Sequence, residues 1–367
     1  MSHPVLNPTP LFQQGERARR KSRFPEALTF YQQARTAYEE VGDADGCRDA
    51  LVGVGDCLRM LGKFPQAQRA YESAVQLSQA LEDPEGAAES LAGVGLSLRA
   101  QGNPARALPY LNAARGLYRK VHASEGEGFS LWALGSTYRF CGDLRKAVAH
   151  FRKALALAEE KGDLPGKGYA LCGLGGASRL MGRFPDTQRY YQEANALFEN
   201  EGDVYGRAYS YCGLGNAARM RLDYDPAMGL FAKAEKLYAR IGDKASFAYT
   251  VWSMATVHKM RGDYRRSAEA FARAQALFRE TKDHRGLIYC RLGVGELALL
   301  QGKVKSAHRA FTACVEKAKR YGYEAEACHA LAGIALAADA PDWATVKRAY
   351  RKCGLYFTPP PPPLNLP

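Results

Sequence analysis

Small and apolar residues recur along this chain at the three- and four-residue spacing of an amphipathic helix. One such stripe runs through Leu171, Leu174, Gly175 and Ser178. A second stripe follows it, formed by Phe184, Tyr190, Tyr191, Ala194, Leu197 and Phe198. No alternating, strand-like run precedes these segments. The spacing therefore predicts two successive helices and no β-strand.

This two-helix pattern repeats every forty residues without insertion or deletion. A period of this length is the signature of a repeat architecture in which each unit packs on its neighbours. The first copy begins near Leu11, the eighth ends near Ala330, and residues 331–354 form a shortened ninth copy. Equivalent stretches begin at Gly53, Gly93, Ala133, Gly173, Gly213, Ser253 and Gly293.

The ends of the predicted helices carry recognisable signals. Gly182 stands where a glycine commonly ends a helix, and Pro185 suits the first turn of the next one. Successive copies are separated by a Gly-Asp pair, in which glycine ends one helix and aspartate can cap the following one. Such pairs occur at 42–43, 162–163, 202–203 and 242–243.

The stretch CGLGG at 172–176 also resembles a phosphate-binding loop, which would use Arg179 and Arg183 to hold a nucleotide. A phosphate loop requires a strand before it and a helix after it, and no strand pattern is present. Recurrent small residues instead allow helix backbones to approach closely. The glycines at 55, 95, 135, 175, 215 and 295 and the alanines at 74, 114, 154, 194, 234 and 274 are therefore expected to be packing residues.

Residues 11–354 resemble the tetratricopeptide repeat family. In the fifth copy the family pattern corresponds to Leu174, Gly175, Ser178, Thr187, Tyr191 and Ala194. Thr187 occupies a position where the family usually has alanine. Two copies later, Ala255 occupies a position where the family usually has glycine. The forty-residue length is similar to that of the Leu-Gly-Asn scaffold proteins of spindle orientation and of bacterial signalling proteins. No acidic G-protein-binding motif follows the repeats.

The resemblance implies an all-α, right-handed superhelical solenoid of about eight helix-turn-helix repeats with a C-terminal capping helix pair. The expected organisation is a flexible segment at 1–10, eight repeats at 11–330, a truncated ninth repeat or cap at 331–354, and a proline-rich tail at 355–367. Pro359–Pro363 should adopt an extended polyproline conformation. This tail is either a solvated end, a ligand for a partner, or a segment that folds back on the tyrosines of the groove.

The resemblance also implies that the first helix of each repeat lines a concave groove. On each first helix, the residues that do not pack in the core form another face, which points to this groove. That face carries two sets of side chains, which we call the basic series and the aromatic series. Arginine and tyrosine are frequent binding hot spots, and arginine can grip a carboxylate through two hydrogen bonds. The basic series is Arg59, Arg99, Arg139, Arg179, Arg219 and Lys259; the aromatic series is Phe129, Trp132, Tyr169, Tyr209, Tyr249, Trp252 and Tyr289, with Asn216 beside it.

These series predict a non-catalytic scaffold that binds a segment of another protein, acidic and with apolar anchors. Each arginine could instead only complement a helix dipole, and each tyrosine could only pack on the next repeat. Single-stranded nucleic acid is an alternative ligand, because arginine and tyrosine also suit phosphates and bases. A sensor of a small molecule or signal peptide is a third possibility.

Composition narrows the function further. The net charge is +13, which suits either a nucleic acid or an acidic partner, and residues 211–367 carry eleven of these excess positive charges, which favours the nucleic-acid alternative. Nine cysteines at irregular spacing predict neither a disulfide framework nor a zinc site. No signal peptide, long apolar segment, nucleophile motif or acid–base pair is evident. We therefore expect a cytoplasmic, non-enzymatic protein with no cofactor, no metal and no membrane partner.

Overall fold

The computed structural model describes residues 7–357 and Asn365 of the 367-residue chain, and the described part is all-helical, as predicted. None of its helices is long and apolar enough to cross a membrane. The helices are α1 (Pro8–Arg20), α2 (Phe24–Val41), α3 (Ala44–Met60), α4 (Phe64–Ala80), α5 (Pro84–Ala100), α6 (Pro104–Lys120), α7 (Ser124–Phe140), α8 (Leu144–Lys161), α9 (Leu164–Leu180), α10 (Phe184–Asn200), α11 (Val204–Met220), α12 (Tyr224–Ile241), α13 (Lys244–Met260), α14 (Tyr264–Glu280), α15 (His284–Leu300), α16 (Val304–Tyr321), α17 (Glu324–Leu336) and α18 (Trp343–Cys353).

The helices form eight consecutive pairs followed by the terminal pair α17 and α18. Each helix packs mainly on the helices before and after it in the chain, which makes the fold a solenoid. The predicted fold class is confirmed. The last helix turns Val346 and Tyr350 inward and leaves Lys347, Arg348, Arg351 and Lys352 exposed, so that it closes the stack with a polar outer surface.

The recurrent glycines make room for aromatic rings. A Cβ added at Gly175 would lie 2.9 Å from the ring of Tyr191, and one added at Gly213 would overlap the same ring. Tyr191 is therefore wedged between the first helix of its own repeat and the first helix of the next. Phe151 is held in the same way between Gly135 and Gly173. The helices therefore approach closely because a glycine faces a large aromatic ring. Contact between two small residues is not the reason.

The helix ends follow the predicted signals. The side chain of Asp163 accepts a hydrogen bond from the backbone N–H of Gly166 at 2.8 Å, and Asp203 does the same for Gly206 at 2.9 Å. Gly182, after the first helix of its repeat, has a φ of +74°, which a glycine adopts without strain. The sixth repeat has Leu222 at the equivalent place, with a φ of +68°.

Two predicted boundaries are corrected by the structure. The N-terminal segment was expected to extend to residue 10, but α1 begins at Pro8 because Asn7 caps it, its side chain accepting a hydrogen bond from Thr9 N–H at 3.2 Å. The terminal helix pair was expected to begin at 331, but α17 begins at Glu324. Residues 1–6 and the predicted polyproline segment Pro359–Pro363 lie outside the described residues.

The solenoid also makes contacts between repeats that are distant in sequence. The turn after α3 meets the end of α14, since a Cβ at Gly62 would lie 3.3 Å from the Cα of Thr281. The turn after α5 meets Tyr323, which precedes α17. Phe140 at the end of α7 lies between two guanidinium groups, 5.5 Å from that of Arg99 and 4.4 Å from that of Arg285. These contacts partly enclose the groove between the two ends of the stack.

Candidate functional site

The larger cavity of the groove has a volume of about 770 Å³ and is lined by residues of the first six repeats. Five residues of the predicted site come together in its lining: Arg59, Arg99, Phe129, Trp132 and Tyr169. They come from α3, α5, α7 and α9, the first helices of four consecutive repeats. The forty-residue spacing brings them together because equivalent positions of stacked repeats align along the groove.

The aromatic side chains of this cavity form a continuous surface. Phe129 is 42% exposed, and its ring is stacked on Trp132 with 5.9 Å between centroids. Trp132 in turn meets Tyr169 edge to face at 6.2 Å. The hydroxyl of Tyr169 donates a hydrogen bond to Oδ2 of Asp203 at 2.7 Å, which fixes the orientation of its ring. An exposed aromatic side chain on a fixed support is suited to anchor an apolar group of a ligand.

Charges of both signs line the same cavity. Arg59 lies 3.6 Å from Asp56, and Nη1 of Arg99 is buried without a hydrogen-bond partner among the described residues. Burial and the neighbouring charges of Arg139 and Arg59 lower the pKa of Arg99 to about 10. Acidic residues also reach this cavity: Glu125, Asp163 and Asp203. The cavity can therefore meet both a negative and a positive group of one ligand.

A smaller cavity, of about 200 Å³, follows in the C-terminal half of the groove. Its chemistry combines aromatic rings with arginines. The lining includes seven residues of the predicted site: Arg139, Arg179, Tyr209, Asn216, Tyr249, Trp252 and Tyr289. Twelve of the fourteen predicted site residues thus line one or the other cavity, and the lining of neither includes Arg219 or Lys259.

Two arginines of the smaller cavity carry buried donors that no described residue satisfies. The Nε atoms of Arg139 and Arg179 are buried, and neither has a hydrogen-bond partner in the described part of the chain. The guanidinium of Arg139 lies against Gly176, where any side chain would displace it. Burial lowers the pKa of Arg179. Unsatisfied buried donors are unfavourable, so an anionic or carbonyl group entering this cavity would gain hydrogen bonds that the described residues do not supply.

The last two members of the basic series point inward. Arg219 is fully buried and donates to Oδ1 of Asn216 at 3.2 and 3.3 Å, and its guanidinium lies 5.8 Å from the ring centre of Trp252. Lys259 is also buried and forms an ion pair with Glu296. Burial lowers the pKa of Lys259 and raises the pKa of Glu296. The series is uniform in sequence, but its members occupy different environments.

Several groove residues were not identified from the sequence. Asp163 and Asp203 were interpreted only as helix caps, although one carboxylate of Asp203 caps α11 and also orients Tyr169. Arg285 was not assigned to the basic series, although it lies four residues before Tyr289 on α15 and lines the smaller cavity with it. Cys172, three residues after Tyr169 on α9, is fully buried in the core. Within 7–357 and Asn365 no three His, Cys, Asp or Glu residues are grouped as a metal site.

The fold and groove define a helical repeat protein with a partly enclosed concave channel. A tetratricopeptide repeat family model matches residues 11–80 and 86–160. The predicted resemblance to this family is confirmed over the matched residues, and the same helix pair continues in register to Tyr321. A search of curated protein sequences gives no significant match.

Three of the solved structures that match this chain illustrate the fold. A Rap protein complexed with competence and sporulation factor has a TM-score of 0.68 and 15% identity, with 95% of this chain and 97% of that chain covered. The Rap conjugation gene regulator of plasmid pLS20, in complex with the Phr* peptide, has a TM-score of 0.63 and 15% identity over 74% of this chain and 73% of that one. The apo form of RapI has a TM-score of 0.59 and 16% identity over 76% and 99%. At these identities the similarity establishes the fold.

Proposed function

We propose that this protein is a non-catalytic, cytoplasmic scaffold that binds a peptide segment of a partner, or a short free peptide, in its concave groove. The observation that carries the proposal is the pair of buried Nε donors of Arg139 and Arg179, which have no hydrogen-bond partner among the described residues and lie beside the aromatic rings of the smaller cavity. Two structures of similar fold are complexes, one with competence and sporulation factor and one with a Phr* peptide, which supports this class of ligand. The nine free thiols suit a reducing compartment.

The chemistry of the groove favours a ligand that is acidic and carries an apolar anchor. A carboxylate in the smaller cavity would accept hydrogen bonds from Arg139 and Arg179, and burial would strengthen these charge-assisted bonds. An apolar or aromatic side chain would pack on Phe129 and Trp132 in the larger cavity. The acidic residues Asp163 and Asp203 could then meet a positive group of the same ligand, such as a free amino terminus.

The experiment compares the wild-type chain with Arg139→Ala/Arg179→Ala against a synthetic library of short peptides with varied charge. We expect the wild type to select acidic peptides and the double variant to lose at least tenfold in affinity, about 1.4 kcal/mol. Binding should weaken as salt rises, since charge pairs carry part of it. The matched control is Arg106→Ala/Arg145→Ala, which removes the same charge from exposed positions on α6 and α8.

Equal affinity of the wild type and the Arg139/Arg179 variant, with circular dichroism showing an intact helical fold, would refute this assignment of the groove. A labelled single-stranded oligonucleotide serves as the counter-probe. Nucleic acid that bound more tightly than any acidic peptide, with a steep dependence on salt, would favour the alternative function. The acidic residues Glu125, Asp163 and Asp203 in the larger cavity disfavour that outcome because they would repel phosphates.

A further inference from the structure

Asn365, close to the C-terminus, lies beside the groove rather than away from the repeats. Its Nδ2 donates a hydrogen bond to the backbone carbonyl oxygen of Arg219 at 3.1 Å, and its Oδ1 accepts one from Nη1 of the same arginine. One side-chain amide thus bonds both a donor and an acceptor of a single residue, whose carbonyl oxygen also accepts from the backbone N–H of Leu222 at 3.0 Å. The partner residue is in α11, and the two are separated by most of the C-terminal half of the chain.

The beginning of the tail is directed toward this region. Leu355 is buried against the terminal helices. The backbone N–H of Tyr356 donates to the carbonyl oxygen of Leu180 at 2.8 Å, and its ring meets Phe184 edge to face at 5.7 Å. The chain therefore leaves α18 by crossing the fifth repeat, next to the sixth repeat that contains Arg219. The residues between Phe357 and Asn365 lie outside the described residues.

The subsite that receives Asn365 is built from buried residues of the groove. Asn216 accepts from the guanidinium of Arg219, and also from the hydroxyl of Ser253 at 3.3 Å, so that its Oδ1 is already engaged. Trp252 lies beside the guanidinium, and Asn216, Ser253 and Trp252 all line the smaller cavity. Arg219 is thereby held in one orientation, with an N–H and a carbonyl oxygen presented to the incoming side chain.

The guanidinium N–H and the backbone carbonyl oxygen of Arg219 together favour a carboxamide as their ligand. A side chain amide offers one acceptor oxygen and one N–H donor group, which matches the donor and the acceptor of Arg219. A carboxylate offers only acceptors, and its negative charge would face the carbonyl oxygen of Arg219 without a hydrogen. An ammonium offers only donors and would be repelled by the guanidinium.

We propose that Asn365 is an internal ligand of the groove: it occupies a carboxamide-specific subsite at Arg219, and a peptide bound at that subsite must carry an asparagine or glutamine and displace it. This inference rests on the proposed function, because it assumes that the groove receives peptides. It adds a third element to the expected ligand, after the acidic group and the apolar anchor. It also makes the free protein partly self-occupied.

The experiment uses the full chain and a fluorescein-labelled synthetic peptide, TPPPPPLNLP, which corresponds to residues 358–367. We expect the peptide to bind the Asn365→Ala protein at least about tenfold more tightly than the wild type, since a tethered ligand competes at a high effective concentration. Peptides with alanine or aspartate in place of the asparagine should bind the Asn365→Ala protein at least tenfold more weakly than the unchanged peptide.

Equal binding of the peptide to the wild type and the Asn365→Ala protein would overturn the inference, as would an aspartate peptide that bound as well as the asparagine peptide. The second result would indicate attraction between charges rather than selection of an amide. The experiment distinguishes loss of the internal-ligand proposal from loss of the proposed peptide-binding function. Acidic library peptides that still depended on Arg139 and Arg179, with no effect of Asn365→Ala, would leave the peptide groove intact and remove only the internal ligand.

Discussion

The guanidinium of Arg285 lies 4.4 Å from the ring centre of Phe140, although the two residues belong to the eighth and the fourth repeats. Arg285 is also held by Glu326, whose Oε1 accepts from its Nε at 2.6 Å. The contact therefore ties the middle of the solenoid to its C-terminal end. It also places Arg285 in the lining of the smaller cavity.

Phe140→Leu should reduce stability by about 1 kcal/mol, because leucine keeps an apolar side chain but offers no aromatic face to Arg285. Urea unfolding followed by circular dichroism measures the change. Phe129→Leu is the control, since Phe129 is the exposed aromatic residue at the groove and stacks on Trp132 rather than on an arginine. A loss no larger for Phe140→Leu than for Phe129→Leu would show that the cation contact contributes nothing to stability.

Gly213→Ala should destabilise the fold by about 1–3 kcal/mol, because the added methyl group overlaps the ring of Tyr191 and the core must shift. Gly116→Ala is the matched control. Gly116 is an exposed residue within α6 with no neighbouring atom within 4 Å of an added Cβ. That change should stabilise the protein by up to about 1 kcal/mol, as expected for an exposed helix position. In thermal unfolding, the midpoint temperature of Gly213→Ala should lie below that of the wild type and the midpoint temperature of Gly116→Ala above it.

Leu222→Gly should stabilise the protein by about 1 kcal/mol. Leu222 has a φ of +68° and its side chain is largely exposed, so the substitution relieves an unfavourable backbone conformation and removes little packing. The reciprocal change, Gly262→Leu, places leucine at the equivalent turn of the seventh repeat and should destabilise by a similar amount. Opposite shifts of the unfolding midpoint confirm the explanation, whereas a loss of stability for Leu222→Gly contradicts it.

Acidification should weaken the fold through His329. This residue is fully buried, its Nδ1 lies 2.8 Å from the hydroxyl of Tyr350, and burial lowers its pKa to about 4. Below the unfolded-state pKa of about 6.5, the unfolded chain binds a proton that the folded chain does not accept until about pH 4. The free energy of unfolding should therefore fall as the pH decreases through this window, by at most about 1.4 kcal/mol per pH unit from this group.

The measurement is urea unfolding of the wild type and His329→Gln at several pH values between 7 and 4. Glutamine keeps a polar side chain near Tyr350 but does not titrate. The difference in stability between the two proteins should shrink or change sign as the pH falls, because only the wild type is penalised by protonation of the unfolded state. Parallel pH profiles would indicate that His329 has no part in the pH dependence.

The local structure was predictable in detail. Apolar spacing identified both helices of each repeat, and Gly182 and Asp203 marked helix ends as expected, because capping depends on a few neighbouring residues. The recurrent small residues at 175 and 213 were recognised as packing positions. The sequence did not identify Tyr191 as the residue that packs on them. The position of its ring between two repeats depends on which helices face each other in the fold.

The groove was predictable only in part. Arg59 and Arg99 occupy equivalent positions in neighbouring repeats. Any regular stacking of the repeats places them along one surface, so their alignment was predictable. The burial of Arg219 and Lys259 could not be inferred from that repetition, because the later groove residues Asn216, Trp252 and Glu296 surround them. Identical positions in successive repeats therefore differ in exposure, charge and hydrogen bonding.

Helix spacing, caps and the forty-residue period are local properties, so the amino-acid sequence alone was sufficient to establish the repeat and its all-α class. The contacts of Phe140 with Arg285 and of Asn365 with Arg219 depend on the accumulated rotation of many stacked repeats. That rotation is small in each unit, arises from side-chain packing between helices, and leaves no periodic signal in the chain. For this reason the enclosure of the groove, and the residues that meet across it, became apparent only in three dimensions.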